Sequence, residues 1–347
     1  MTLEKKQFAA DIQDNQEVKD LFLVKTARLA ETKAGKPFLT LDLMDRTGEV
    51  VGRVWDNAER LAPLCPAGAV VLLSGRAQLY KGVVQLSVTA LEAVTIGGAD
   101  WAFFLPATSA DIVSMEAELV ALVKTVDDKD IRRLLLAVVK DQALWAAFRT
   151  APAAKTMHHA YIGGLLEHTL GLCRLAVAVC RLYPALNRSL LLAGAVLHDL
   201  GKVREFSFDV PPFDYSEQGR LLGHMVIALE LIQLKVAGLQ DFPERTATMV
   251  KHLVISHHGC HEFGSPAVPM IREAFVLNFL DDLDAKMNYF DRLSRQAPAG
   301  DYQWTEYQRS LERFLFVTGH PAQGSGPSPG EPGPAGEQGQ RQPSLWG

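Results

Sequence analysis

Residues 189–202 read SLLLAGAVLHDLGK, an apolar helical run that closes on His198-Asp199, with Gly201 where a C-terminal cap belongs. A His-Asp pair at a helix end has an ordinary explanation: the imidazole complements the helix dipole and the carboxylate takes a nearby donor. The surroundings argue for more. His168 lies in the preceding helical segment, His224 in the following one, His257-His258 ends another, and Asp281, Asp282 and Asp284 lie on a fifth. Each sits within or at the end of an otherwise apolar helix, where an imidazole or carboxylate needs a partner to offset desolvation. All ten histidines occur at or after His158, and nine fall in the 104 residues from His158 to His261. That window is under a third of the chain, so its histidines are concentrated for a purpose.

Outward from this stretch the periodicity stays helical. Asp111–Val126, Asp130–Arg149, Thr156–Tyr183, Glu217–Ala237, Pro243–His257, Arg272–Asp291 and Thr305–Phe316 carry apolar residues at three- and four-residue spacing. Val203–Tyr215 is a long irregular stretch with Pro211-Pro212, the length of a lid or substrate rim. Before Gly97-Gly98 the pattern is strand-like: Asp20–Ala30, Pro37–Asp45, Glu49–Trp55, Ala69–Leu79 and Val83–Thr95 are separated by turn chemistry such as Asp45-Arg46-Thr47-Gly48 and Lys81-Gly82. Five strands in so short a span suggest a small closed barrel of the OB-fold kind. The expected architecture is multidomain: a small all-β OB-fold barrel over 15–98, a helical linker region over 99–150 and an all-α bundle over 151–318. A flexible Gly/Pro-rich tail over 319–347 follows, in which four glycines at a period of three are too few for a collagen helix.

The chain has 347 residues and a formal net charge of −5, which argues against coating nucleic acid through an overall basic field. No apolar stretch approaches the length of a membrane helix, and charged residues interrupt the start where a secretory signal would need an apolar block. The expectation is a cytoplasmic protein without a membrane partner. Cys65, Cys173, Cys180 and Cys260 show no Cys-x-x-Cys pairing, and reduced thiols are expected. Neither a Gly-x-Ser-x-Gly elbow nor a Walker-type phosphate loop occurs, which leaves serine hydrolysis and nucleoside-triphosphate motors without support.

Mixed imidazole and carboxylate donors suit manganese, iron, zinc or similar ions, and enough are present for two. Two ions sharing a carboxylate can activate water and clamp a phosphoryl group. The ordered series His168, His198-Asp199, Asp281 resembles the HD-domain metal-dependent phosphohydrolases. More closely, residues 158–169 (HHAYIGGLLEHT), 256–259 (SHHG) and 281–286 (DDLDAK) resemble the YhaM-type 3′–5′ exoribonucleases, over about residues 15–316. The resemblance implies an N-terminal OB-fold joined to an HD domain. It implies that His168, His198, Asp199 and Asp281 hold one ion, and that Asp199 bridges to a second held by His224, His257 and His258. The cofactor would be two divalent ions, manganese first, with iron, cobalt or zinc as alternatives. Asp199 and the metals would drive attack of water on the 3′-terminal phosphodiester, releasing nucleoside 5′-monophosphates.

Other residues follow from position. Lys202, three residues beyond Asp199, is placed as in HD-x-G-K sequences to reach a phosphate oxygen, against the alternative of a solvated lysine after a cap. Lys155, His158 and His159 precede the helix bearing His168 and either contact nucleic-acid phosphates or order that helix. Asp284, three residues from Asp281 on a helix, is the better placed of the neighbouring acids to support a ligand from behind. His252 and His261 match no motif position and suit solvent-facing or capping roles. In the barrel, Phe38 alternates away from Leu39, Leu41 and Leu43, while Arg53 and Trp55 share one face of their strand. These three are candidates for single-stranded binding, since bases stack on aromatics and phosphates pair with arginine. The span Glu17–Glu92 holds ten basic against nine acidic residues, so such a face would bind weakly and feed a strand to the metal site.

The first reading is therefore a metal-dependent 3′–5′ exoribonuclease acting on single-stranded RNA, with single-stranded DNA as a further partner. A second is a phosphohydrolase of cyclic dinucleotides or nucleotides, which the barrel disfavours. The third is a nucleic-acid-binding protein with a vestigial HD domain, disfavoured because every ligand type is present. A homo-oligomer is compatible with the sequence.

Overall fold

The structure, a computed structural model, describes residues 5–32, 34–95, 103–105, 107–155, 159–207, 214–298 and 300–319. The chain divides into two compact units, Met1–Tyr289 and Phe290–Gly347.

The first unit begins with β1 (Glu17–Glu31), β2 (Pro37–Asp45), β3 (Gly48–Val54), a short α1 (Ala58–Leu61), β4 (Val70–Tyr80) and β5 (Val83–Val94). The strands close into a barrel in the order β1-β2-β3-β5-β4, with β3 and β5 parallel and the remaining pairs antiparallel. Closure leaves no sheet edge exposed. Alternation sets the two faces. Leu39, Leu41 and Leu43 of β2 turn inward with Phe22, Leu73 and Leu86 to fill the barrel, while Phe38 and Thr40 face outward. The five strands and the barrel match the sequence expectation to within a few residues.

The helices are α2 (Ile112–Lys124), α3 (Lys129–Val139), α4 (Gln142–Thr150), α5 (Gly164–Leu182), α6 (Arg188–Leu197), α7 (Lys202–Glu205), α8 (Glu217–Ala237), α9 (Glu244–Ser256) and α10 (Arg272–Gln296). Side chains of Asp111, Asp128, Asp141, Asn187 and Ser216 accept backbone N–H bonds at the starts of α2, α3, α4, α6 and α8, satisfying donors that a helix cannot satisfy itself. Helix α6 is the centre of the bundle. Every residue from Ser189 to Leu197 is buried, as expected of a helix apolar all round, and it packs against α3, α5 and α9. The fully buried centre of the bundle therefore delivers His198 and Asp199 from its end.

Two helices differ from expectation here. The single helix foreseen over Asp130–Arg149 is two, because Asp141 caps a new start at α4 with a bond from Leu144 N. Of the helix foreseen over Thr156–Tyr183, residues 156–158 lie outside the described residues and the described residues 159–163 are not helical, so α5 starts at Gly164. His159 (φ 47°) and Gly163 (φ 81°) both lie in the left-handed region, and Ala153 N bonds back to the His159 carbonyl, so this segment forms a loop before α5. The six residues 208–213 in the middle of the irregular Val203–Tyr215 stretch lie outside the described residues. Its ends form a two-stranded ribbon of β6 (Phe206–Ser207) and β7 (Asp214–Tyr215).

In the second unit, the helix foreseen over Thr305–Phe316 is instead a ribbon of β8 (Gln303–Trp304) and β9 (Phe316–Val317). Tyr302 and Trp304 pack on the Phe316 ring at 5.3 and 4.8 Å between centroids, and this cross-strand aromatic packing overrides the helical spacing. Residues 320–347 of the foreseen tail lie outside the described residues. All four cysteines are free, and burial pushes the Cys173 thiol up to about 12. Among the described residues no helix is long and apolar enough to cross a membrane.

Candidate metal centre

Four imidazoles, His168, His198, His224 and His257, converge on Asp199, and His258 packs beside His257; each of the five is fixed from behind through Nδ1. His198 Nδ1 donates to the Ala195 carbonyl at 3.0 Å, His257 Nδ1 to the Val254 carbonyl at 2.6 Å and His258 Nδ1 to the Phe263 carbonyl at 2.8 Å. His168 Nδ1 meets Asp284 Oδ2 at 2.7 Å, and His224 Nδ1 meets Glu205 Oε1 at 3.1 Å. With every Nδ1 engaged, Nε2 is the atom each ring can offer to a metal. The two oxygens of Asp199 face different rings. Oδ2 lies 3.3 Å from His198 Nε2 and 3.7 Å from His168 Nε2, whereas Oδ1 lies 3.5 Å from His224 Nε2 and 3.7 Å from His257 Nε2. Asp281 Oδ1 adds to the first group, 3.1 Å from His168 Nε2 and 3.9 Å from His198 Nε2.

Donor atoms of His168, His198 and Asp281 form one set within 4.8 Å of one another, and those of His224, His257 and His258 form a second. Donors about 2.0–2.2 Å from a common ion stand roughly 3–4 Å apart, and the first set, at 3.1, 3.2 and 3.9 Å, has that spacing. His168 Nε2 and His198 Nε2 face each other at 3.2 Å. Since both rings donate through Nδ1, two lone pairs would meet there unless a proton or a cation lies between. On the other side, Asp199 Oδ1, His224 Nε2 and His257 Nε2 are buried without a hydrogen-bond partner. Leaving such atoms unsatisfied costs about 1–3 kcal/mol each. A divalent cation accepts all three, so the donors present fit the ions that the sequence implies.

The electrostatics agree. Burial opposes charge on His168, but Asp281, Asp284 and Asp199 outweigh it and lift the imidazole to about 9. Burial likewise opposes charge on Asp199, yet Lys202 and His198 hold it well below the usual carboxylate range. Asp281 is held low against burial by His168 and His198. His257 is pushed well below its ordinary value by burial and by neighbouring His198, which keeps it neutral and able to ligate. The centre thus combines ionised carboxylates with a protonated His168 and a neutral His257, and a bound cation would replace the His168 proton.

Lys202 is buried, with its ammonium 2.6 Å from Asp199 Oδ2, so it is part of the centre and not a solvated lysine. Asp284 lies behind His168, where its helical spacing placed it. His159 is not at the surface. It is 5% exposed, its Nε2 meets Asp284 Oδ2 at 2.9 Å, its Nδ1 meets the Tyr161 hydroxyl at 2.8 Å, and its backbone N donates to Asn288 Oδ1 at 2.9 Å. Of the two roles considered for it, ordering the neighbourhood of α5 fits this geometry and phosphate contact does not. Lys155 pairs with Asp214 at 2.8 Å, and His158 lies outside the described residues. His252, within α9, accepts from Met270 N, and His261 Nδ1 bonds the Ser265 carbonyl four residues on. Sequence reasoning missed Glu205, which carries no periodic or motif signal, Asn288, which meets His159 only through the fold, and Tyr161, which meets it from two residues away.

On the barrel, Phe38 and Trp55 stack at 5.1 Å and 26°, and the Arg53 guanidinium lies 5.6 Å from the Phe38 ring while donating to Thr40 Oγ1. Trp55 remains 43% exposed. These three line a surface cavity of about 310 Å³ with Gln78, Tyr80 and Gln85. Aromatic faces, a cation and amides on one outer wall supply the stacking and pairing groups that a single strand uses.

Comparison with known proteins places both halves. Residues 165–286 match the HD domain family, and residues 23–94 match an OB-fold nucleic acid binding domain. Over 298 residues, 85% of this chain, the sequence is 35% identical to a Geobacillus sp. (strain WCH70) protein named 3′-5′ exoribonuclease YhaM, of which 89% is covered. A Bacillus subtilis (strain 168) protein of the same name is 33% identical over 305 residues, 87% of this chain and 94% of its own.

Proposed function

The chain belongs to the family of proteins named 3′-5′ exoribonuclease YhaM, and from that premise we propose that it is a metal-dependent phosphodiesterase that shortens single-stranded RNA from its 3′ end. The observation that carries the proposal is the two-sided carboxylate of Asp199, whose Oδ2 and Oδ1 face separate sets of imidazoles. In this reading His168, His198, Asp199 and Asp281 hold one divalent ion, and Asp199 with His224, His257 and His258 holds another. Manganese is taken as the first ion on the strength of the carboxylate donors, and the imidazoles equally suit iron or zinc. When bound, such ions supply a polarised water and charge compensation for the phosphoryl group.

The chain's own residues do the rest. The Nδ1 bonds to Asp284, Glu205 and the three backbone carbonyls hold the imidazoles in place before substrate arrives, so orientation is not lost on binding. Lys202, held on Asp199, directs an ammonium towards a non-bridging phosphate oxygen. Attack of water on the terminal phosphorus breaks the bond to the penultimate 3′ oxygen. The released nucleotide keeps the phosphate as a 5′-monophosphate, and the shortened strand ends in a 3′-hydroxyl. Residues 15–98 act as the nucleic-acid-binding part, with Phe38, Arg53 and Trp55 holding the strand, and residues 151–318 act as the hydrolytic part. Single-stranded DNA presents the same stacking faces and phosphates and is a second substrate in this reading.

The test is incubation of manganese-loaded protein with 5′-labelled single-stranded RNA, followed by sizing of products. A ladder shortening one nucleotide at a time from the 3′ end with nucleoside 5′-monophosphates released supports the proposal. Internal cleavage, or turnover of cyclic dinucleotides with RNA untouched, contradicts it.

A further inference from the structure

Glu205, at the end of α7, is 6% exposed, and one of its oxygens serves two atoms of one residue. Its Oε1 accepts from the His224 backbone N–H at 3.0 Å and meets His224 Nδ1 at 3.1 Å. The double contact depends on a break in α8. Gly223 adopts φ 71° and ψ 160°, outside helical geometry, so His224 opens a new helical segment and its N–H lacks an intrahelical acceptor. A residue with a Cβ rarely adopts that φ, which explains glycine at this position. The Glu205 carboxylate caps the new segment, where its charge also complements the helix dipole. Helix α7 is held close enough to do this by Gly201, where a Cβ would collide with the His224 carbonyl oxygen, and by the bond from Ser216 N to the Glu205 carbonyl at 2.9 Å.

The consequence lies on the far side of the ring. With Nδ1 fixed on Glu205, His224 Nε2 points at Asp199 Oδ1, 3.5 Å away, and both atoms are buried without a hydrogen-bond partner. A carboxylate behind an imidazole also raises its basicity as a ligand. The other rings of the second set, His257 and His258, rest on backbone carbonyls, so Glu205 is the one side-chain carboxylate found behind that set among the described residues. We propose that Glu205 is a positioning residue for the second metal ion. It orients His224 from behind, and so sets the affinity of that ion without touching substrate. The proposal rests on the two-ion reading above.

The test is manganese binding to the full-length protein, metal-free at the start, by calorimetry with elemental analysis of the loaded product. Wild type is expected to take up two ions per chain. Glu205→Ala is expected to keep the first ion unchanged and to weaken the second by about 10–100-fold, the usual effect of losing a partner behind a metal-bound histidine. Raising manganese by the same factor is expected to restore RNA hydrolysis, which a collapsed fold would not allow. Glu205→Gln keeps an oxygen for both donors and loses only the charge, and it is expected to show a smaller loss confined to the second ion. If Glu205→Ala fails to fold, Glu205→Gln carries the test. Two ions bound with unchanged affinity in the variant that folds overturn the role of Glu205 and leave the two-ion reading standing. A single ion bound by wild type at saturation overturns the two-ion reading, and this proposal with it.

Discussion

His224 Nε2 faces Asp199 Oδ1 across 3.5 Å, and neither buried atom has a hydrogen-bond partner, although the opposite oxygen of Asp199 is held by Lys202 at 2.6 Å. One carboxylate therefore has a satisfied side and an unsatisfied side. Such asymmetry in a buried group is costly unless a cation completes it. Asp199→Asn keeps the shape and removes the charge. Hydrolysis of single-stranded RNA by this variant is expected to fall below detection in a gel assay, while the full-length protein still retards RNA in a binding assay. Full activity with added manganese would contradict the bridging role.

The pH dependence of metal loading follows from His168. Its imidazole is lifted to about 9, from an ordinary value of 6.5, by Asp281, Asp284 and Asp199 against the opposing effect of burial. In the metal-free protein the raised value stabilises the fold fully below the ordinary histidine range, and this contribution is lost as pH rises through about 9. A metal must displace that proton, so manganese affinity is expected to rise from pH 6.5 to 9 with proton release on binding. Calorimetry in buffers of different ionisation enthalpy measures it. Affinity that is flat with pH, with no proton released, would contradict this assignment.

Asp284→Ala removes the partner of both His168 Nδ1 and His159 Nε2. The buried His168 nitrogen left behind costs about 1–3 kcal/mol of stability, and metal affinity at the first set is expected to drop by about 10–100-fold. Thermal unfolding with and without manganese checks both. The gap between the two melting temperatures should shrink relative to wild type.

How much of this was legible in the sequence depends on the residue. Leu39, Leu41 and Leu43 announce a half-buried strand by period alone, and the barrel follows. His198 and Asp199 are legible because an apolar helix ends on them. Asp284 was placed by helical spacing from Asp281, and the structure puts it behind His168. His159 was ambiguous because it precedes α5 in a loop whose left-handed residues no periodicity reveals, and only the fold brings Asp284 to it. Glu205 was invisible for a related reason. Its role arises from the break at Gly223, a backbone event 18 residues later in the chain. The Thr305–Phe316 segment misled because aromatics spaced for a helix face pair equally well across a ribbon.

Trp55→Ala tests the barrel face. Loss of a stacking surface costs about 1–3 kcal/mol per base, so KM for a long single strand is expected to rise by about 5–150-fold with a smaller change in kcat. A fall in kcat with KM unchanged would place Trp55 outside strand binding.

The most direct test of the two-ion centre is anomalous diffraction at the manganese edge from crystals of the metal-loaded protein. The account predicts two peaks with the Asp199 carboxylate between them, one among His168, His198 and Asp281 and the other among His224, His257 and His258. A single peak, or two peaks that do not share Asp199, would contradict it.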